Sequence, residues 1–212
     1  MKNLILYLIL LVSVQLTAQK HIPFSGRMIY NIEFRGTNDS VFTFQSKSVL
    51  YTNDTLVRIE SETGQLGPQV LIKHLLFKKY YLLLEYENQK YALQQHLPAD
   101  TIPTKFAFKK KRGTKKIAGL KAKRVLVSHP NFKQPIEMWY VPNFSPKYLD
   151  VLKGIKGLPV DYYIQMEDGL LHYVLESVEA SPVNMDLFGI PSDFQKISFD
   201  EFLNILFKAK SE

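Results

Sequence analysis

Five histidines and no cysteine bound the chemistry open to this chain of 212 residues. His21, His74, His96, His129 and His172 are scattered, and none lies three or four residues from another. A zinc site draws on Cys or His at such short spacings, so no metal and no cofactor is expected. There is no Gly-x-Ser-x-Gly elbow, no Gly-rich phosphate loop and no His-Glu-x-x-His. Asp161, Glu167 and Asp168 are the one concentration of carboxylates placed for acid–base work. A hairpin turn calls for Asp in the same place, and the structural role is the expectation. No catalytic residue is assigned, and the chain is not expected to be an enzyme.

Two further features bear on binding. Eleven basic residues and no acidic one lie between Asp100 and Glu137. They include Lys109, Lys110, Lys111, Arg112, Lys115 and Lys116, and beyond them Lys121, Lys123 and Arg124. Such a segment is either a docking patch for anionic lipid headgroups or an acidic partner, or a solvated loop and outer strand face. The second feature is the wealth of aromatics, 14 Phe and 12 Tyr. Phe42, Phe44, Tyr80, Tyr86, Met138, Tyr140 and Tyr162 would fall on strand faces. There they either line an apolar cavity or pack as solid core.

The elements that must position these residues are mostly strands. Residues 27–35 alternate, with Met28, Tyr30, Ile32 and Phe34 on one side and Arg27, Asn31, Glu33 and Arg35 on the other. That period of two belongs to an antiparallel sheet covered on one face. Further strands are predicted from Phe42 and Phe44 onward and over 56–62, 70–77, 80–87, 91–95, 115–118, 120–128, 136–141, 160–166 and 171–179. Asn53-Asp54, Glu87-Asn88-Gln89 and Asp168-Gly169 mark turns. Ser145-Pro146 reads as the cap and first turn of a short helix that Gly154 would end. Ser198 to Glu201 is a capping box, and Phe199, Phe202, Leu203 and Leu206 follow at helical spacing. The fold class expected is mainly β (α+β): nine to eleven antiparallel strands in one large curved sheet, an unclosed half-barrel. A short connecting helix and a C-terminal amphipathic helix would cover its apolar face. No βαβ alternation is present, which excludes a parallel nucleotide-binding sheet.

The chain opens on Met1-Lys2-Asn3, an aliphatic run from Leu4 to Leu16, and Thr17-Ala18-Gln19. The run of about thirteen residues falls short of the roughly 20 that span a bilayer and matches a cleavable signal peptide. Residues 1–18 are read as that peptide and 19–212 as a single domain. Without cysteine there is neither a disulfide framework nor a lipid-modified N-terminus. A periplasmic or secreted protein is expected, for which nucleic acid is a poor partner.

Leu152-Lys153-Gly154-Ile155-Lys156-Gly157-Leu158-Pro159, followed by an alternating strand and Asp168-Gly169, resembles the GLPGLI family of exported bacterial proteins of unknown function. Lys116-Ile117-Ala118-Gly119-Leu120-Lys121-Ala122-Lys123 is similar to the family's K-x-I-x-G strand pair. Glu137-Met138-Trp139-Tyr140 is similar to its tryptophan strand, and Phe188 to Phe194 to its closing F-x-I-P-x-D segment. The sequence departs at Val160-Asp161-Tyr162, where the name motif has Gly-Leu-Ile, and at Ala122, where many relatives carry Cys. The resemblance implies a LolA/LppX-like half-barrel, the fold of periplasmic lipoprotein carriers, which hide acyl chains between sheet and helices. On that reading Gly157, Leu158 and Pro159 shape the entrance to a core strand, while Met138, Tyr140, Tyr162 and Ile164 line a cavity. Lys109 to Lys116 would meet headgroups or a partner. The expected function is non-catalytic binding of an apolar ligand, or chaperoning of an envelope partner. The alternative is a structural part of an envelope assembly with a solid core.

Overall fold

The computed structural model describes residues 21–36, 45–62, 67–95, 105–166 and 169–209. The leader, Phe42, Phe44, His96 and the Glu167-Asp168 turn lie outside them. Among the described residues twelve strands form one sheet: β1 (Gly26–Gly36), β2 (Gln45–Thr52), β3 (Leu56–Glu62), β4 (Pro68–His74), β5 (Lys79–Tyr86), β6 (Gln89–Gln95), β7 (Ala107–Ile117), β8 (Leu120–Ser128), β9 (Ile136–Val141), β10 (Leu158–Met166), β11 (Gly169–Ala180) and β12 (Gln195–Ser198). Their spatial order is β12-β6-β5-β4-β3-β2-β1-β11-β10-β9-β8-β7, so β12 and β7 are its edges and the sheet is unclosed. All neighbours are antiparallel except β12, which runs parallel to β6.

The period of two in β1 is realised as read: Met28, Tyr30 and Ile32 are buried on the inner face. The neighbours follow tight turns. Glu87 and Asn88 both have positive φ (51° and 59°), as do Ala118 and Gly119 (48° and 77°). Two consecutive left-handed residues give the hairpin turn whose twist matches that of the flanking strands.

Three expectations need correction. Residues 109–112 do not form a loop. They belong to β7, an eleven-residue edge strand that pairs with β8, with a register break between Lys110 and Thr114. A row of lysines on an open edge is a common protection against pairing with another chain. The connecting helix is a single 3-10 turn at Pro146–Tyr148, capped as expected by Ser145, whose hydroxyl accepts from Lys147 N. It ends at Tyr148, well before Gly154. The strand predicted over 70–77 stops at His74, and 75–78 form the turn into β5.

The C-terminal helix α1 (Phe199–Ala209) begins at the predicted capping box. Ser198 Oγ accepts from Glu201 N at 3.1 Å, and Glu201 Oε2 accepts from Ser198 N at 2.6 Å. The side chains that reach the sheet are Phe202, Ile205 and Leu206, packed on Leu84, Tyr91 and Leu93. Phe199, in the first turn, stays 47% exposed. The helix therefore covers only the β5–β6–β12 end of the inner face. The larger core, over β1–β3 and β8–β11, is sealed by the irregular segment 142–157, whose Tyr148, Leu149, Leu152 and Ile155 point into it. Behind β4–β6, on the outer face, Ile190 and Phe194 cover Ile72, Leu83 and Ala92.

Candidate functional site

Residues directly opposite in a sheet share a face, so the register defines what the inner face offers. Val178, Met28, Leu50, Ile59, Leu71, Leu82, Leu93 and Ile197 stand opposite one another in turn from β11 to β12. This apolar row crosses eight strands with no polar interruption. Within it Met28, Leu50 and Leu93 are at most 1% exposed. Ile59, Leu71 and Leu82, between Leu50 and Leu93, are half-buried, as are Val178 and Ile197 at the two ends. Ile59 packs against the core under the 142–157 segment, Leu82 against the cluster anchored by Phe202 of α1, and Leu71 stands between them on β4. The result is a shallow apolar groove centred on Leu71, between the two covered regions.

One wall of the groove is fixed by an unusual cation. Lys73 sits on the inner face of β4 with 2% exposure, and its Nζ donates to Lys147 O and Leu149 O, both at 3.1 Å. The ammonium thus holds the 3-10 turn against the sheet, within 5.9 Å of the Tyr80 ring. Beside it, Tyr148 donates to Asp54 of the β2–β3 turn. Burial pushes Lys73 down to about 8 from 10.5, and the nearby Asp150 carboxylate offsets only part of that. A lysine depressed in the fold is held at a cost while it is protonated, and the cost disappears as pH rises past the folded value. Stability should therefore climb between pH 8 and about 10, by about 3 kcal/mol for the full shift. Above pH 10 it should fall, because burial holds the phenols of Tyr30 and Tyr148 up in the folded state. Urea denaturation at pH 7, 8, 9 and 10 measures this, and Lys73→Met should abolish the climb. An equal climb in that variant would assign it to another group.

The residues predicted to line a cavity lie beneath the 142–157 cover. Met138, Leu158 and Tyr162 are at most 1% exposed and Tyr140 is 5% exposed. Gly157 and Pro159 are also buried, and Ile164 is half-buried. Tyr162 stacks on Tyr173 at 4.9 Å and meets Tyr30 edge-on at 6.2 Å. The Gly-Leu-Pro motif has a local explanation. Gly157 lets β10 start against β9, Leu158 enters the core, and Pro159 stands where the β9–β10 register shifts, the kind of bulge that tolerates proline. The Pro159 carbonyl accepts from the Tyr30 hydroxyl at 3.0 Å. Clefts of about 360, 420 and 270 Å3 open beside Glu33 and Lys47, beside Phe132 and Tyr163, and beside Tyr51 and Leu187. None of these three is lined by a residue of the predicted set.

The predicted basic patch is exposed throughout: Lys109, Lys110, Lys111, Arg112, Lys115 and Lys116 all face solvent on β7. Lys115 differs from the rest. Its Nζ lies 2.8 Å from Asp161 Oδ2 and 4.6 Å from the Trp139 ring centre. Asp161 also meets His172 Nε2 at 2.8 Å, and His172 stacks on Tyr163 at 4.2 Å. Burial pushes the Asp161 carboxyl up, but the hydrogen bonds from His172 and Lys115 outweigh it and hold the group below its usual range. This outer-face network ties β7, β10 and β11 together, with Asp161 inside β10 and not in a hairpin turn.

The groove residues Ile59, Leu71 and Leu82 were not singled out by sequence. Each is an ordinary strand aliphatic, and only the register shows that they align across β3, β4 and β5. Lys73 carried no sequence signal either, being one cation in an apolar strand.

No family model matches the chain, and no curated protein matches it. Among solved structures it is similar to the LolA superfamily protein NE2245 from Nitrosomonas europaea, with 6% identity and a TM-score of 0.38 over 81% of this chain and 92% of that one. Among the described residues no helix is long and apolar enough to cross a membrane.

Proposed function

We propose that this chain is an exported, non-catalytic binding protein of the cell envelope whose inner sheet face holds an apolar ligand such as an acyl chain of a lipid or lipoprotein. The observation that supports it most is the unbroken apolar row of eight side chains, buried at Met28, Leu50 and Leu93 and left half-covered at Ile59, Leu71 and Leu82. Apolar surface in that position loses its hydration only when something else lies on it, and each buried CH2 is worth about 0.8 kcal/mol. A linear hydrocarbon laid across strands fits a row of this kind. Export rests on the leader-like start of the chain, and the basic β7 strand is the candidate contact for headgroups or an envelope partner.

Titration with a fluorescent fatty acid tests the proposal. The parent protein should bind it saturably, and Leu71→Lys should weaken binding at least about tenfold by placing a charge on the groove floor. A melting temperature close to the parent's shows that the variant is folded. Absence of saturable uptake, or equal uptake by Leu71→Lys, would reject the groove as a binding site. A second reading, a rigid part of an envelope assembly, is favoured by the solid packing of Met138, Tyr140, Leu158 and Tyr162. It predicts no uptake and co-purification with protein partners through β7.

A further inference from the structure

The turn between β4 and β5 breaks the ordinary rule for apolar side chains. Leu76 and Phe77 stand at its tip, each 75% exposed, the most exposed large hydrophobics among the described residues. They are followed directly by Lys78 and Lys79, both exposed. A tip of this composition costs hydration free energy in water, and no turn requires Leu or Phe there. Gly, Asn or Asp would make the same turn more readily, particularly at Lys78, whose φ is 51°.

The tip is also held firmly. β4 and β5 pair in register up to His74 opposite Lys79. Leu75 N donates to Thr55 O at 2.9 Å, which fastens the tip to the neighbouring β2–β3 turn. That turn is itself braced by Asn53 Oδ1, which accepts from Leu56 N at 2.8 Å and Thr55 N at 3.2 Å. Asn53 Nδ2 meets Met185 Sδ at 3.3 Å, bringing a third apolar side chain, 57% exposed, to the same end of the sheet. Lys147 is exposed there too, since its carbonyl is bound by Lys73 one residue from the end of β4. The carboxylates nearby are Asp54, which accepts from Tyr148, and the exposed Asp150 and Asp186.

We infer that this end of the sheet docks on an anionic phospholipid bilayer, with Leu76 and Phe77 entering the interfacial zone and Lys78, Lys79 and Lys147 lying at headgroup level. Paired large apolar side chains ringed by lysines suit that boundary, where one layer is greasy and the next carries phosphate. An acidic protein surface would satisfy the lysines and leave Leu76 and Phe77 unaccommodated unless it also offered an apolar pocket. The bilayer meets both needs at once. This contact is separate from the β7 patch, which stands at the far edge of the sheet, and separate from whatever the inner groove holds.

Sedimentation with vesicles tests it. Residues 19–212 should bind phosphatidylglycerol–phosphatidylcholine vesicles and release them at high salt, and should bind pure phosphatidylcholine far less. Leu76→Ser with Phe77→Ser should weaken binding at least about tenfold at an unchanged melting temperature, because both side chains are exposed. For depth, Phe77→Trp in a Trp139→Phe background leaves a single indole at the tip. Its emission should shift to the blue with anionic vesicles and be quenched by brominated acyl chains. Failure of the parent to sediment, undiminished binding by the double serine variant, or an unshifted emission from the Phe77→Trp indole would each overturn the inference. Loss of binding on charge reversal at Lys109 to Arg112 alone would move the contact to β7 and overturn it too. Leu71→Lys should bind vesicles like the parent, so failure of the ligand proposal is read separately.

Discussion

Replacing Phe202 by alanine is expected to lower stability by about 3–5 kcal/mol, as truncation of a sealed aromatic does. Phe202 is 2% exposed and is the anchor of α1. Its ring meets Tyr91 at 5.5 Å and Tyr86 edge-on at 5.9 Å, above Leu84 and Leu93. The helix has few other holds, because Ile205 and Leu206 are only half-buried. Phe202→Ala should therefore release the helix before the rest of the sheet unfolds. Urea denaturation should show a loss of helical signal ahead of the main transition, with new binding of an apolar dye where Leu82 and Leu84 become uncovered. Phe199→Ala, one turn earlier and half exposed, should change stability by no more than about 0.5 kcal/mol. A cost under about 1 kcal/mol at Phe202 would mean that α1 is not held by this contact.

Gly157→Ala should be nearly as damaging. The φ of Gly157 is 150°, and a Cβ there would stand 2.4 Å from Val141 O and 2.7 Å from Pro142 Cα. Both are backbone atoms at the end of the strand that β10 must join, so no rotamer change relieves the contact. Backbone strain of this kind costs about 1–3 kcal/mol, and separating the β9 and β10 backbones adds to it, for a total of about 3 kcal/mol or more. Gly119→Ala is the control. It also has positive φ, 77°, but nothing lies within 4 Å of its added Cβ, so only the conformational cost of about 1 kcal/mol remains. Thermal melts of the two variants should separate clearly. Similar small losses in both would show that the Gly-Leu-Pro segment is not a close backbone approach.

Much of the sheet was legible because its strands obey a simple rule. β3, β8 and β9 coincide with the expected spans, and β1, β10 and β11 differ by a residue or two, since alternation persists to their ends. The parallel strand β12 was missed. Four residues, Gln-Lys-Ile-Ser, are too few to show a period, and the partner lies about a hundred residues earlier. Lys109 to Arg112 looked like loop because charge runs seldom form strands in a sheet interior; at an edge they are tolerated and protective. The 75–78 turn was hidden because it uses Lys78 where Gly or Asn would have announced it. The Asp168-Gly169 turn lies partly outside the described residues, although Met166 opposite Gly169 sets the hairpin there. For the site, the sequence pointed to the buried residues under the 142–157 cover. What distinguishes Ile59, Leu71 and Leu82 is the reach of two covers, a property of packing and not of composition.

The most direct test of a ligand-holding groove is mass spectrometry of the protein purified from its own cells, natively and after organic extraction. The account predicts a bound acyl-containing molecule near one per chain, depleted in Leu71→Lys. Protein that carries nothing, and takes up nothing when offered lipid, would contradict it.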